Sequence, residues 1–174
     1  MKKIMITLMC SVMLIACSTD DTNTNKPLKG EKEVIEMIEE KINYKPDQTN
    51  EVTMFKRDGQ MDKKVTLLAE GNRLIKQTLV NEVPYELFSI QSKEEMQDFL
   101  QEEIEIYQQL EGIDYEIDFF EHYYYEELHI DYDKLSMDDY ENQVGDSLTE
   151  AEKDLDFIYL VRDFVERNYY FLEE

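Results

Sequence analysis

Residues 51–83, EVTMFKRDGQMDKKVTLLAEGNRLIKQTLVNEV, decide the fold. Two short runs rich in Val, Thr, Leu and Phe, Glu51–Arg57 and Lys64–Glu70, are separated by Asp58-Gly59, a tight-turn signal. Gly71-Asn72 punctuates a second reversal into Arg73–Val83, and Pro84 ends that run. Connections this short join antiparallel neighbours, because a parallel crossover needs a dozen residues or more, so the stretch predicts a three-strand meander. Alternation along the third strand puts Leu74, Lys76, Thr78 and Val80 on one face and Ile75, Gln77 and Leu79 on the other.

Moving toward the C-terminus, Ser92-Lys93-Glu94-Glu95 reads as a capping box, the Ser92 hydroxyl accepting from the Glu95 amide and the Glu95 carboxylate returning to Ser92 N–H. Met96, Phe99, Leu100, Ile104, Tyr107 and Leu110 follow at three- and four-residue spacing, an apolar helical stripe that Gly112 ends. Ile113–Asp131, IDYEIDFFEHYYYEELHID, alternates, is interrupted near Glu121-His122-Tyr123, and predicts a hairpin. Ile113, Tyr115, Ile117 and Phe119 would face the core with Tyr124, Leu128 and Ile130, which requires paired numbers to sum to an odd value, as in Ile113 with Ile130. Asp133–Gly145 reads as an acidic loop with a helical turn. Thr149–Leu172 reads as a terminal helix opened by Thr149 and Glu152. The fold class is therefore α+β, an antiparallel sheet of about five strands with one long middle helix and a C-terminal helix.

Toward the N-terminus, Glu31–Tyr44 carries Val34, Ile35, Ile38 and Ile42 near helical spacing, and Pro46 marks its end. Ser18–Gly30, STDDTNTNKPLKG, is polar and reads as a tether. Before it, Lys2 and Lys3 precede the apolar run Ile4–Ala16, which is shorter than the roughly 20 residues a membrane span needs. Leu14-Ile15-Ala16-Cys17 resembles a bacterial lipobox, which implies acylation of Cys17 and cleavage just before it. The organisation expected is a signal peptide at 1–16, acylated Cys17 and tether at 17–30, a short helix and linker at 31–48, and an α+β domain at 49–174. Two acyl chains anchor lastingly where one is marginal. The location implied is the outer face of the bacterial cytoplasmic membrane, or the outer membrane where one exists. Cys10 departs with the signal and Cys17 is blocked, which excludes thiol chemistry in the mature protein.

In series, Lys76-Gln77-Thr78, Pro84-Tyr85, Ser92–Glu95 and Ile130-Asp131-Tyr132 resemble the YehR-type lipoprotein family, a group of unknown function. The resemblance runs over Glu51–Phe171 and implies a compact α+β domain outside the cytoplasm, with no activity attached. The chain differs from the family in its strong acidity and in the Glu31–Tyr44 segment.

That acidity narrows the partners. The 174 residues hold 41 Asp and Glu against 18 Lys and Arg, a formal charge of −23. Nucleic acid is excluded, because phosphate binding rests on clustered cations. A cationic protein, a cell-wall component or a divalent cation fits such a surface better. The outer face of the predicted hairpin gathers Asp114, Glu116, Asp118, Glu127 and Asp131 with His129, and a metal ion could bind His129, Asp114, Glu116, Glu127 and Asp131. Asp138-Asp139-Tyr140-Glu141-Asn142 lacks the glycine and spacing of a calcium loop. Tyr123, Tyr124, Tyr125 and Tyr132 could stack on sugars or a peptide, although such residues commonly finish a strand pair instead. No nucleophile elbow, zinc-protease, phosphate-loop or dinucleotide signature is present, and with so many acids no carboxylate pair is informative. The expectation is a non-catalytic surface binding module without a cofactor; the alternative is capture of a divalent cation or cationic ligand by the acidic sheet face.

Overall fold

The computed structural model describes residues 31–145 and 150–172. The signal, Cys17, the tether and Thr149 lie outside the described residues. Helix α1 (Glu31–Lys41) leads into a meander of β1 (Thr49–Asp58), β2 (Met61–Glu70) and β3 (Arg73–Pro84). A 3-10 turn (Tyr85–Phe88) connects to the long helix α2 (Lys93–Tyr107), then to the hairpin β4 (Ile113–Phe119) and β5 (Tyr123–Asp131). Helices α3 (Met137–Val144), α4 (Glu150–Lys153) and α5 (Phe157–Glu166) precede a final two-residue strand, β6 (Tyr170–Phe171). All pairings are antiparallel, in the order β4-β5-β3-β2-β1-β6. The fold is α+β with six strands among the described residues rather than about five.

The hairpin pairs in the expected register, Ile113 opposite Ile130 and Tyr115 opposite Leu128. Ser92 caps α2 as read, accepting from Glu95 N at 3.2 Å, but the Glu95 carboxylate reaches Gln91 N rather than Ser92. Of the α2 stripe, Met96, Leu100 and Tyr107 are buried, whereas Phe99 is 44 % exposed.

Several expectations are corrected. The faces of β3 are not a simple alternation, because the register shifts at Leu68/Ala69, where Leu68 pairs with Lys76 and Ala69 with Leu74. This bulge takes Ile75 out of the count, so Leu74 shares the core face with Gln77 and Leu79. The acidic loop contains a real helix, α3, capped by Ser136 Oγ accepting from Asp139 N and stopped at Gly145. The terminal helix is broken. Leu155 takes a positive φ, Leu74 N donates to Leu155 O at 2.7 Å, and Asp156 then caps a new helix by accepting from Tyr159 N. Asn168, at φ 66°, ends α5 and turns Tyr170 and Phe171 into a strand beside β1.

The buried side chains of α1, α2, α3 and α5 cluster with the inward residues of the strands, so these helices cover one face of the sheet. Ile38 of α1 is fully buried in the main core, so this helix belongs to the domain body and is more than a linker. Gly112 carries the turn from α2 into β4 at φ +86°, and a Cβ there would lie 2.6 Å from Leu135 N and 2.8 Å from Asp131 O. Gly112→Ala is expected to destabilise the domain by at least about 2 kcal/mol, read as a lower urea midpoint with unchanged slope.

Candidate functional site

Two polar arrangements stand out, one on each face of the sheet. On the outer face, even-numbered residues of β4 and odd-numbered residues of β5 project away from the helices, which follows from strand alternation and the observed register. Asp114 stands opposite His129, Glu116 opposite Glu127, and Asp118 opposite Tyr125. A groove of about 440 Å³ opens here, lined by Lys76, Thr78, Asp114, His129, Asp131 and Lys134 among others.

The five metal candidates share this face without forming a coordination set. His129 Nδ1 lies 3.0 Å from Thr78 Oγ1, and His129 Nε2 lies 3.2 Å from Glu127 Oε1, so both ring nitrogens are engaged. Asp131 turns to Lys134 at 3.0 Å, and that hydrogen bond holds its carboxyl below the usual range. Among the described residues no three His, Cys, Asp or Glu side chains converge as metal ligands. The groove instead mixes two ammonium groups, two carboxylates and an imidazole.

The aromatic candidates separate. Tyr125 lies on the outer face, its hydroxyl 3.3 Å from Glu127 Oε2. Tyr123 stacks on Phe120 at the hairpin tip, with centroids 4.7 Å apart. Tyr124 is a core residue, as the hairpin alternation predicts, and Tyr132 is one too, contrary to the surface-stacking expectation. Tyr132 donates to Gln77 Oε1 at 2.8 Å under the sheet, and Tyr124 packs with Met61, Val83 and Met96.

The second arrangement crosses the core face. Lys63 of β2, Asn81 of β3 and Glu126 of β5 are cross-strand neighbours in one row. Apolar clusters flank the row, one around Met54, Val65 and Leu128, the other around Met61, Val83 and Tyr124. Asn81 Nδ2 donates to Glu126 Oε1 at 2.8 Å, and the Tyr115 hydroxyl donates to Glu126 Oε2 at 2.7 Å. Burial raises the Glu126 carboxyl above its usual range, opposed by these two hydrogen bonds and by the field of Lys63. Burial also lowers the Lys63 ammonium, opposed by Asp58, which is 3.9 Å away. Tyr115 is held protonated, first by burial and then by the Glu126 carboxylate. Both Glu126 oxygens are satisfied within the protein, by groups from β3 and β4, so the row ties these strands to β5. The residues expected to face the core from β5 omitted Glu126, yet its position between inward Tyr124 and inward Leu128 was the signal.

Residues 51–169 match the family described as "Protein of unknown function (DUF1307)". The chain belongs to the DUF1307 family. Over 85 residues it is 33% identical to "Uncharacterized lipoprotein Lin0239" of Listeria innocua, a match covering 49% of this chain and 56% of that protein. The chain thus spans little more than half the length of this relative. YehR of E. coli superposes with a TM-score of 0.61 at 13% identity, over 75% of this chain and 96% of YehR. A protein from Streptococcus pneumoniae TIGR4 superposes with a TM-score of 0.51 at 13% identity, over 91% and 99% of the two chains. The two superpositions show a shared fold, and with the DUF1307 match and the lipoprotein relative they agree with the YehR-type expectation.

Proposed function

We propose that this DUF1307 chain is a lipid-anchored extracytoplasmic binding module that presents the open face of its sheet to a cationic partner and catalyses no reaction. The observation that carries this reading is the one-sided packing: α1, α2, α3 and α5 cover one face of the sheet and leave Asp114, Glu116, Asp118, Glu127 and Asp131 on the other. Antiparallel sheets tolerate one solvated face, and this one concentrates charge of a single sign along β4 and β5. The anchor is supported by the Leu14–Cys17 lipobox and by the name of the Listeria relative. No helix among the described residues is long and apolar enough to cross a membrane.

Carboxyl footprinting by mass spectrometry tests the binding face on the membrane-anchored full chain. Oligolysine, compared with oligoglutamate at physiological salt, is expected to protect Asp114, Glu116 and Asp118 from labelling. Equal labelling with both probes, or protection confined to carboxylates of the helices, rejects the reading. The anchor has its own test. Cys17→Ala is expected to abolish palmitate labelling and move the protein from the membrane fraction to the soluble fraction; unchanged labelling removes the anchor from the proposal.

A further inference from the structure

We propose that the open edge of β4 is a strand-addition site for an extended cationic peptide in which Lys or Arg alternates with apolar residues. The inference rests on the binding-module reading above and names its partner. Among the described residues β4 ends the sheet and pairs on one side only, with β5. Asp131 N donates to Gly112 O at 2.8 Å and Phe120 N to Tyr123 O at 2.9 Å, so the even-numbered residues of this segment bond to β5. By alternation, Tyr115 and Ile117 turn both N–H and C=O outward, Ile113 its C=O and Phe119 its N–H. An edge of this kind is a template for another strand.

Three observations select the occupant. Asp114, Glu116 and Asp118 are all exposed on the outer side of this edge, so a second copy of β4 would set carboxylates against carboxylates. On the inner side Ile113, Ile117 and Phe119 are only half-buried and leave apolar surface for alternate residues of an incoming strand. The edge also already holds a cation: Lys93 Nζ, from the first turn of α2, donates to the Phe119 carbonyl at 2.8 Å. An antiparallel strand reading Lys-Val-Lys-Val places ammonium groups over the acids and valines beside the isoleucines. Its valine amides complete the ladder.

The probe is acetylated Lys-Val-Lys-Val-Lys-Val-Lys amide, added to the full lipidated chain in nanodiscs and followed by fluorescence anisotropy and amide hydrogen exchange. Binding should slow exchange at Tyr115 and Ile117. N-methylation of the three valines, which removes the donors without altering charge, should weaken binding about tenfold or more. Asp114→Asn with Glu116→Gln and Asp118→Asn should weaken the parent peptide by a similar factor. Ile117→Pro, which deletes an outward N–H and leaves the β4–β5 ladder intact, should weaken only the unmethylated peptide. Equal binding of methylated and parent peptides overturns the edge site, and because the methyl groups sit on the peptide this outcome does not depend on any variant folding. If both peptides bind alike and both weaken on neutralising the three acids, the edge falls while the acidic face remains a binding surface. Absence of peptide binding alongside protection by oligolysine likewise overturns the edge alone.

Discussion

Asn81→Leu is expected to cost the domain about 3 kcal/mol at neutral pH, because it withdraws one of two hydrogen-bond donors from a carboxylate that has no access to water. Asn81 is 4% exposed and Glu126 5%, so no solvent molecule replaces the lost donor without a rearrangement of the core. Leucine is close to asparagine in size and branching, so the cost is electrostatic and not a cavity. The contrasting variant restores consistency: Asn81→Leu with Tyr115→Phe and Glu126→Leu removes donors and acceptor together and is expected to recover most of the loss. Urea midpoints of the three proteins decide the matter; a single variant within about 0.5 kcal/mol of the parent would show that Glu126 draws no stability from Asn81.

The same carboxyl sets a pH dependence whose sign is opposite to that of an ordinary ion-paired acid. Its folded value is raised above the 4.5 of an unperturbed Glu, so between the two the folded state holds a proton that the unfolded state releases. The Glu126 contribution is therefore most favourable below about 4.5 and is lost as pH rises through the raised folded value. Glu126→Gln should flatten this part of the stability profile, and the penalty of Asn81→Leu should shrink on acidification.

The second large effect is expected at Phe157, where truncation to alanine should cost about 3–5 kcal/mol, read as a fall in urea midpoint. The ring is fully buried and lies 6.4 Å, centroid to centroid, from Tyr44 in a stacked arrangement. Its backbone amide donates to Asn72 O at 2.9 Å, and the next amide, Ile158 N, donates to Asn72 Oδ1 at 3.0 Å. Phe157 thus joins α5, the β2–β3 turn and the segment after α1 at one point. A loss below about 1 kcal/mol would mean that the site collapses around the smaller residue, and that these elements are held elsewhere.

Local chemistry made much of this fold legible. Asp58-Gly59 and Gly71-Asn72 mark reversals because both glycines adopt positive φ, and Ser92 marks a helix start because its hydroxyl satisfies an orphan amide. The register of β4 and β5 was readable since a slip by one residue would exchange Ile113, Tyr115 and Ile130 for Asp114, His129 and Asp131 in the core. The terminal segment was not readable in the same way. Leu155, Ile158, Val161 and Val165 keep helical spacing across a break that is made by the docking of Leu155 O on Leu74 N, a contact 81 positions away in sequence. Helical spacing likewise ran on through Tyr169, and the short strand that follows exists because β1 offers an unpaired edge there.

For the candidate site the division is sharper. Residue types alone set the chain's charge at −23 and placed acids on alternate positions of β4 and β5, since these depend only on composition and a two-residue period. Whether those acids bind, pair or merely face water depends on what stands across from each of them. That was decided by tertiary structure, which engaged both nitrogens of His129, turned Asp131 to Lys134, buried Tyr132 on Gln77, and brought Asn81 and Tyr115 from other strands to the buried carboxyl of Glu126. A carboxylate's chemistry is set by its neighbours within a few ångströms, and in a sheet those neighbours come from strands distant in the chain.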